Sequence, residues 1–527
     1  MSILLSMNHP CVVEMTREML RNGLDIKWVI TGYTRRFESS KPKDIILYDI
    51  RDFRFEHRIL QLCYNTNLCL SESILSDYID CEREYLYITD RVKLAPISIR
   101  ERRQVFKKLL LYWLLFFENN PSLSLIILQS SPHIGYDVVL SHIAARNDIP
   151  VIYFEPTRIG ETYFIEYVSK SSSYIPRRCF NKIGNDYSES NNSIVVESML
   201  TRFGTESRIL ETGKENCERG AKDFKTLGQK FASMEFTDIP RSIKSIFKLI
   251  FAMSRKRSLI YSDFDGGEMP IWRIKYHTIK YLPVLRLLRK KYRQMLSPVD
   301  YNLPYAYFAM HLQPERTTSP YLAGIFEDQI LAIEVISKSL PGDWLLYVKE
   351  NPMSFYNGFL ATDDAMLLHS VGKKHYRSIQ DYIRIEKLSN VKVVDVSESS
   401  AKLIRSAIFS STITGSVGWE SLLAGKPCIT FGKSWYGDLD SCYPVTSIDE
   451  CREAIEQIRK NELVNVESEL TAIIKDKATQ VVDLPKFMDL IYSESEQKKW
   501  GKYYGEVISN TLHNMKEIES SKVKGLR

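Results

Sequence analysis

Between Ser406 and Gly432 the chain reads as an apolar strand-like run, a Gly/Ser turn, a short helix, a second turn and another strand. Ser406-Ala-Ile-Phe-Ser-Ser-Thr412 has the content of a buried strand, and Val417 to Ala424 has helical spacing. Gly425-Lys426-Pro427 stops that helix before Cys428-Ile-Thr-Phe431. Two strands joined through a helix run parallel, and a parallel sheet needs helices over its faces, so the stretch commits the chain to an α/β fold. The turn Thr414-Gly415-Ser416 sets backbone N–H groups and two hydroxyls at a helix N-terminus, which suits a phosphate or diphosphate. Glu420 follows one helical turn beyond Ser416, where a carboxylate can accept two ribose hydroxyls. A plain crossover whose glycines only permit tight packing accounts for the same residues, because a Gly-rich turn alone is a weak signal.

The strand–helix alternation occurs twice. Ser2–Ser6, Ile26–Thr31, Ile45–Tyr48, Leu123–Leu128 and Val151–Phe154 read as strands, with helical spacing over Val12–Arg21 and Tyr136–Arg146. The rhythm restarts at Tyr305–Met310 and continues through Trp344–Val348, Val391–Val394, Ala407–Thr412 and Cys428–Phe431. The expected fold class is α/β, two doubly wound Rossmann-like domains facing a cleft, with a helical insertion and a helical C-terminus. The domains are placed at 1–295, 296–480 and a helical tail at 481–527. A chain of 527 residues is too long for one core.

Between the two α/β parts, residues 167–237 are polar and Ser/Asn-rich without strand period, and 241–293 carry 14 Lys/Arg against three acids. The local +11 leaves the remainder of the +6 chain negative. Basic amphipathic helices of this kind suit an anionic membrane surface or a polyanionic acceptor, although a solvated face between domains reads the same way. No recognition motif accompanies the charge, so nucleic acid is not expected as a partner. Nine cysteines without a CxxC pair or a Cys/His cluster fit a reducing cytoplasm rather than a disulfide scaffold or zinc site. No signal peptide is visible at Ser2-Ile-Leu-Leu-Ser6, and the longest apolar run, Leu109–Phe117, is far short of a span of roughly 20 residues. The expected location is cytoplasmic, peripheral at most to the inner face of the plasma membrane.

Polar clusters follow the strands where ligand loops belong. After Tyr305–Met310 comes His311-Leu-Gln313-Pro314-Glu315-Arg316, offering an amide, a carboxylate and a guanidinium. Arg316 can neutralise phosphate, and Gln313 can read a base or a sugar hydroxyl. After the next strand comes Val348-Lys349-Glu350-Asn351-Pro352, in which Lys349 can offset diphosphate charge and Asn351 can donate to a phosphate oxygen.

Taken in order, Gln-Pro-Glu, Lys-Glu-Asn-Pro and Thr-Gly-Ser-Val-Gly-Trp-Glu…Gly-Lys-Pro…Phe-Gly…Trp-Tyr resemble the capsule polysaccharide biosynthesis glycosyltransferases, which include Kdo-transferase-like enzymes. The resemblance runs over about Tyr305 to Tyr436 and more weakly over Ser124 to Glu161. It implies a GT-B-like fold, cytoplasmic action on a glycan or glycolipid acceptor, and a nucleotide-sugar donor held mainly by the C-terminal domain, leaving the acceptor to the N-terminal one. The family's Gln-Pro motif falls on Gln313 and Pro314, its His-Pro motif on Asn351 and Pro352, and its hydroxyl-bearing phosphate loop on Thr414 and Ser416. Asn351 departs from the family's His. An amide donates only a neutral hydrogen bond to a departing phosphate, which weighs against a CMP-linked Kdo donor more than against the transferase class.

Glycosyl transfer requires stabilising the leaving phosphate and deprotonating an acceptor hydroxyl. Thr414, Gly415, Ser416, Arg316 and Lys349 are candidates for the first. For the second, Ser130-Ser-Pro-His133-Ile-Gly-Tyr-Asp137 and Glu155-Pro-Thr-Arg158-Ile-Gly-Glu161 each follow a strand. Asp137 and Glu155 are the candidate bases with His133 as helper. Asp137 reads equally as a first-turn acid favouring the helix dipole, and Glu155 as a partner of Arg158. Asp363-Asp364 lies in a polar stretch rather than at a strand end, so metal-independent chemistry without a cofactor is expected. A polyol-phosphate transferase of cell-envelope polymers, a sugar epimerase and a catalytically idle glycan-binding scaffold are the alternative readings.

Overall fold

Ser2–Ser6 (β1) is buried along its whole length, which requires both faces of its sheet to be covered. Its side chains alternate between two cores. Leu4 packs with Trp28, Trp113 and Val139, while Ile3 and Leu5 pack with Met15, Met19 and Ile508. The structure is a computed structural model and describes residues 2–38, 44–50, 53, 70–92, 99–157, 162–167, 258–260, 268–313, 323–351, 354, 377–460, 468–469, 481–487 and 493–525.

In the first sheet β1 is followed by helix α1 (Val12–Arg21), β2 (Asp25–Thr31) and β3 (Ile46–Asp49). Helices α2 (Ile79–Val92) and α3 (Ile99–Asn119) precede β4 (Leu123–Leu128), α4 (Tyr136–Arg146), β5 (Val151–Pro156) and β6 (Thr162–Tyr167). A separate antiparallel pair, β7 (Ser258–Ile260) and β8 (Glu268–Pro270), leads into the long α5 (Ile271–Gln294).

The second sheet uses β9 (Tyr305–Ala309), α6 (Gln329–Ser339), β10 (Leu345–Lys349), α7 (Ile379–Glu386), β11 (Val391–Val393), α8 (Ser400–Ser406), β12 (Phe409–Thr412), α9 (Ser416–Leu423), β13 (Cys428–Thr430), β14 (Cys442–Pro444) and α10 (Ile448–Lys460). Its order is β11-β10-β9-β12-β13-β14, all parallel. The first sheet runs β3-β2-β1-β4-β5 in parallel and adds β6 antiparallel. In both sheets the strand order reverses beside the unit's first strand, between β1 and β4 and between β9 and β12. The expected α/β, doubly wound class therefore holds for both sheets.

The tail begins with a strand rather than a helix. Val481–Asp483 (β15) pairs antiparallel with β6 and extends the first sheet; Val481 and Val482 are β-branched and suit an edge. The expected terminal helix follows as α11 (Glu494–Gly525) and lies against α1. The two helices approach so closely that a Cβ at Gly505 would stand 2.6 Å from both the Met15 carbonyl oxygen and Glu18 Cβ, and one at Gly501 2.6 Å from Glu14 Cβ.

Helix α5 contains Pro283, which removes one helical hydrogen bond. Beyond it, Leu288 and Tyr292 enter the core of the second sheet, and the Tyr292 hydroxyl donates to the Val394 carbonyl. The last turns of the basic section thus pack with the second sheet. The polar stretch 168–237 and the basic residues up to 257 lie outside the described residues.

Candidate functional site at the strand-order reversal

In an open doubly wound sheet, ligands occupy the crevice beyond the strand ends where the order reverses. In the second sheet that crevice lies between the ends of β9 and β12, which carry His311, Gln313 and the Thr414-Gly415-Ser416 turn. His311 is buried and bridges the two strand ends. Its Nε2 lies 2.8 Å from Thr412 Oγ1 and accepts the Thr414 N–H at 3.3 Å. With an N–H donor on Nε2, the ring is neutral and protonated at Nδ1. The backbone of His311 is held by both arms of the buried Gln329 amide, at 2.7 and 3.3 Å. Sequence reasoning placed His311 in this loop without giving it a role; its position directly at a strand end was the available signal.

The turn is built more tightly than its sequence implied. Two N–H groups expected to face a ligand are turned inward, Thr414 to His311 and Gly415 to Thr412 Oγ1 at 3.3 Å. The donors available to an anion shift onward to the Ser416 and Val417 N–H groups at the start of α9, the Gly418 N–H being held by the Gly415 carbonyl at 3.2 Å. That helix has Gly415 as N-cap and no side-chain capping bond, and Ser416 at its start is exposed. Thr414 and Glu420 are half-buried beside it. Both glycines are close-approach residues. A Cβ at Gly415 would stand 2.8 Å from His311 Cε1, and one at Gly418 2.3 Å from the Tyr436 hydroxyl. Tyr436 donates that hydroxyl to the Gly415 carbonyl, and Trp419 and Trp435 pack beside it with centroids 4.6 Å apart.

The neighbouring residues divide differently from expectation. Gln313 is buried and donates its amide to the Glu327 carbonyl at 2.8 Å, bracing the turn that precedes α6. Lys349 is buried with its ammonium on the Glu398 carbonyl (2.8 Å) and Ser400 Oγ (2.6 Å), so it ties β10 to α8. Glu350, unused in the sequence reading, is fully buried and accepts from Arg377 Nε (2.7 Å), Tyr382 OH (3.0 Å) and Ser354 Oγ (3.0 Å). Burial and the Glu350 charge push the Tyr382 phenol well above its ordinary range. Arg377 lies 27 residues away in the chain, a pairing that no local pattern reveals. Asn351 is half-buried, its own N–H on Glu350 at 3.1 Å. Pro314, Glu315, Arg316, Pro352 and Asp363-Asp364 lie outside the described residues.

The first sheet has its own reversal, between β1 and β4. The Asn8 N–H donates to Gln129 Oε1 at 2.9 Å, linking the two strand ends, and Asn8 Oδ1 accepts from Gly32 N–H at 2.9 Å. His9 is fully buried, face to face with Phe487 at 4.9 Å, and burial lowers its pKa to about 4. The Asp137 carboxylate accepts the N–H groups of His133, Ile134, Gly135 and Val138 at 2.8–2.9 Å. Burial pushes this carboxyl up, and the four N–H groups act against that. Its geometry is that of a loop organiser at the first turn of α4. The loop it holds presents His133, half-buried, whose Nδ1 lies 2.7 Å from the Ser131 carbonyl. A carbonyl only accepts, so Nδ1 carries the proton and Nε2 is the basic nitrogen of the neutral ring. Glu155 sits half-buried on β5, opposite Phe164 of β6, while Arg158 and Glu161 lie outside the described residues.

No family model matches the chain, and no curated protein matches its sequence at a significant level. Among solved structures, the UDP-GlcNAc 2-epimerase from Methanocaldococcus jannaschii is 10% identical, over 90% of this chain and 98% of that one, with a TM-score of 0.23. The β-Kdo 2,7 transferase KpsC from Thermosulfurimonas dismutans is 11% identical over 68% and 81%, with a TM-score of 0.25. The spinosyn rhamnosyltransferase SpnG is 9% identical over 91% and 96%, with a TM-score of 0.21. At these scores the likenesses carry no assignment; the doubly wound fold is read from this chain's own strand order.

Proposed function

We propose that this protein is a glycosyltransferase that moves a sugar from a nucleotide-sugar donor to a growing bacterial surface or capsular polysaccharide, with two GT-B-like domains facing a cleft. The observation that carries this reading is the coincidence, at the β9/β12 reversal, of the uncapped N-terminus of α9, the exposed Ser416 and the close-packed Gly415 and Gly418. First-turn N–H groups and the Ser416 hydroxyl take the donor diphosphate as its charge grows, and Glu420 takes the ribose. His311 and Thr412 hold the turn in the shape that leaves those donors outward. On the acceptor side His133 is the base, through Nε2, and Asp137 positions it. Glu155 remains a second candidate. The donor-binding domain comprises about 296–460, and the acceptor-binding domain combines the first sheet with the returning 481–525.

The test is a thermal-shift panel of CMP, UDP, GDP, CDP and ADP on the full chain and on Ser416→Ala. A nucleotide at about 100 times its Kd stabilises by roughly 2.7 kcal/mol. One nucleotide shifting the wild type and not the variant supports the donor site and names the donor class. No shift with any nucleotide refutes the transferase reading and favours the glycan-binding scaffold, the reading that Asn351 in place of a family His keeps open.

A further inference from the structure

Helix α5 holds eight Lys/Arg and no Asp or Glu in 24 residues, a length of about 36 Å at 1.5 Å per residue. Its last twelve residues show how that charge is displayed. Leu285, Leu288 and Tyr292 are buried at 4%, 2% and 3% exposure and fix the inner side. Lys291 reaches sideways to Glu386 of α7 at 2.6 Å. Helical spacing then places Pro283, Leu287 and Lys290 on the opposite side, flanked by Val284, Arg286 and Arg293, and all six are exposed. Leu287 is 55% and Val284 43% exposed, among the largest exposures of apolar side chains described here.

We infer that the outer face of α5, centred on Leu287 and Lys290, docks on an anionic lipid surface. Two observations select lipid over the other polyanions. A site for a soluble polyanion gains nothing from exposing Leu287 and Val284, whereas a helix lying in a membrane interface inserts such residues among the headgroups. Helical spacing sets Pro283, Leu287 and Val284 along one stripe with Arg286, Lys290 and Arg293 beside it, an apolar stripe with a cationic flank of the kind an interfacial helix lays among headgroups. The helix sequence contains no acid, which suits negative headgroups. The inference is independent of the donor site: it requires no nucleotide and no turnover.

The experiment is co-sedimentation of the full chain with vesicles of phosphatidylcholine alone and of phosphatidylcholine with a quarter phosphatidylglycerol. The expected result is partition onto the anionic vesicles only, weakened at least about tenfold between 0.1 and 0.5 M NaCl. Lys290→Glu should weaken partition by about tenfold, and Leu287→Asp by several-fold, with melting temperatures unchanged because both side chains are exposed. Equal binding to both vesicle types, no binding to either, or unchanged partition of the charge variant overturns the proposal. So does a charge variant that loses heparin retention while Leu287→Asp leaves vesicle binding intact, since the face would then serve a soluble polyanion.

Discussion

Replacing Gly505 by alanine sets two well-characterised effects against each other, and the structure decides the sign. Alanine is favoured over glycine inside a helix by about 0.8–1 kcal/mol, so an unpacked α11 would be stabilised. Against α1 the added Cβ would stand 2.6 Å from the Met15 carbonyl oxygen and from Glu18 Cβ, where ordinary contacts begin near 3.4 Å. Neither neighbour is the free end of a side chain, so the helices must separate by close to an ångström. Separation loosens Tyr504, Ile508 and Leu512, buried at 0%, 0% and 5% against the Met15 and Met19 layer. Overpacking of this kind costs about 1–3 kcal/mol, more than the propensity gain. The expected net change is a loss of up to about 2 kcal/mol, larger for Gly501→Ala with Gly505→Ala. Melting of a chain this size is not two-state, so amide exchange over α1 and α11 should accompany the thermal scan. An alanine variant that protects these helices better than wild type would refute the close approach.

Three further outcomes are expected. Burial holds the folded pKa of His9 at about 4, against the ordinary imidazole value of 6.5; the unfolded chain takes up the proton first as pH falls, so this residue's contribution is whole above about pH 7 and is lost progressively down to pH 4, costing about 1.4 kcal/mol at pH 5.5. His9→Asn should flatten urea-measured stability over that window, and an unchanged slope would contradict it. Arg377→Ala leaves the buried Glu350 carboxylate without its cation and should cost about 3–5 kcal/mol, with Glu350→Gln on top of it recovering part of the loss in a double-mutant cycle. Gly418→Ala should abolish nucleotide-induced thermal shifts by driving Tyr436 off the Gly415 carbonyl, and Tyr436→Phe should relieve part of that clash; a full shift in Gly418→Ala speaks against a donor site there.

What the sequence disclosed follows from the range of the interactions involved. Val12–Arg21 and Tyr136–Arg146 fold over the expected bounds because 3.6-residue periodicity is local and undisturbed. The parallel strands were visible as short apolar runs for the same reason. β15 was not, since three residues in a charged stretch form a strand only because β6 offers an edge far away in the chain. The Thr414–Ser416 turn drew attention through its glycine, yet which of its N–H groups face outward depended on His311, more than a hundred positions earlier. Lys349 was read as a cation for a diphosphate and Asp137 as a candidate base, each from its place after a strand. Their partners, the N-terminal turn of α8 and the loop before α4, show positions that hold the scaffold. Glu350 escaped notice because its cation arrives from a distant loop.

The return of β15 and α11 to the first sheet means that this half of the molecule is assembled from segments lying on either side of the second sheet in the sequence. During synthesis β6 waits as an open edge, and α1 with one flank bare, until the segment beyond the second sheet has been made. Removing residues 481–525 should therefore injure the earlier first sheet and spare the second sheet made after it. Aggregation of truncated chains would begin at β6, the strand whose hydrogen-bonding partner is translated only after the whole second sheet.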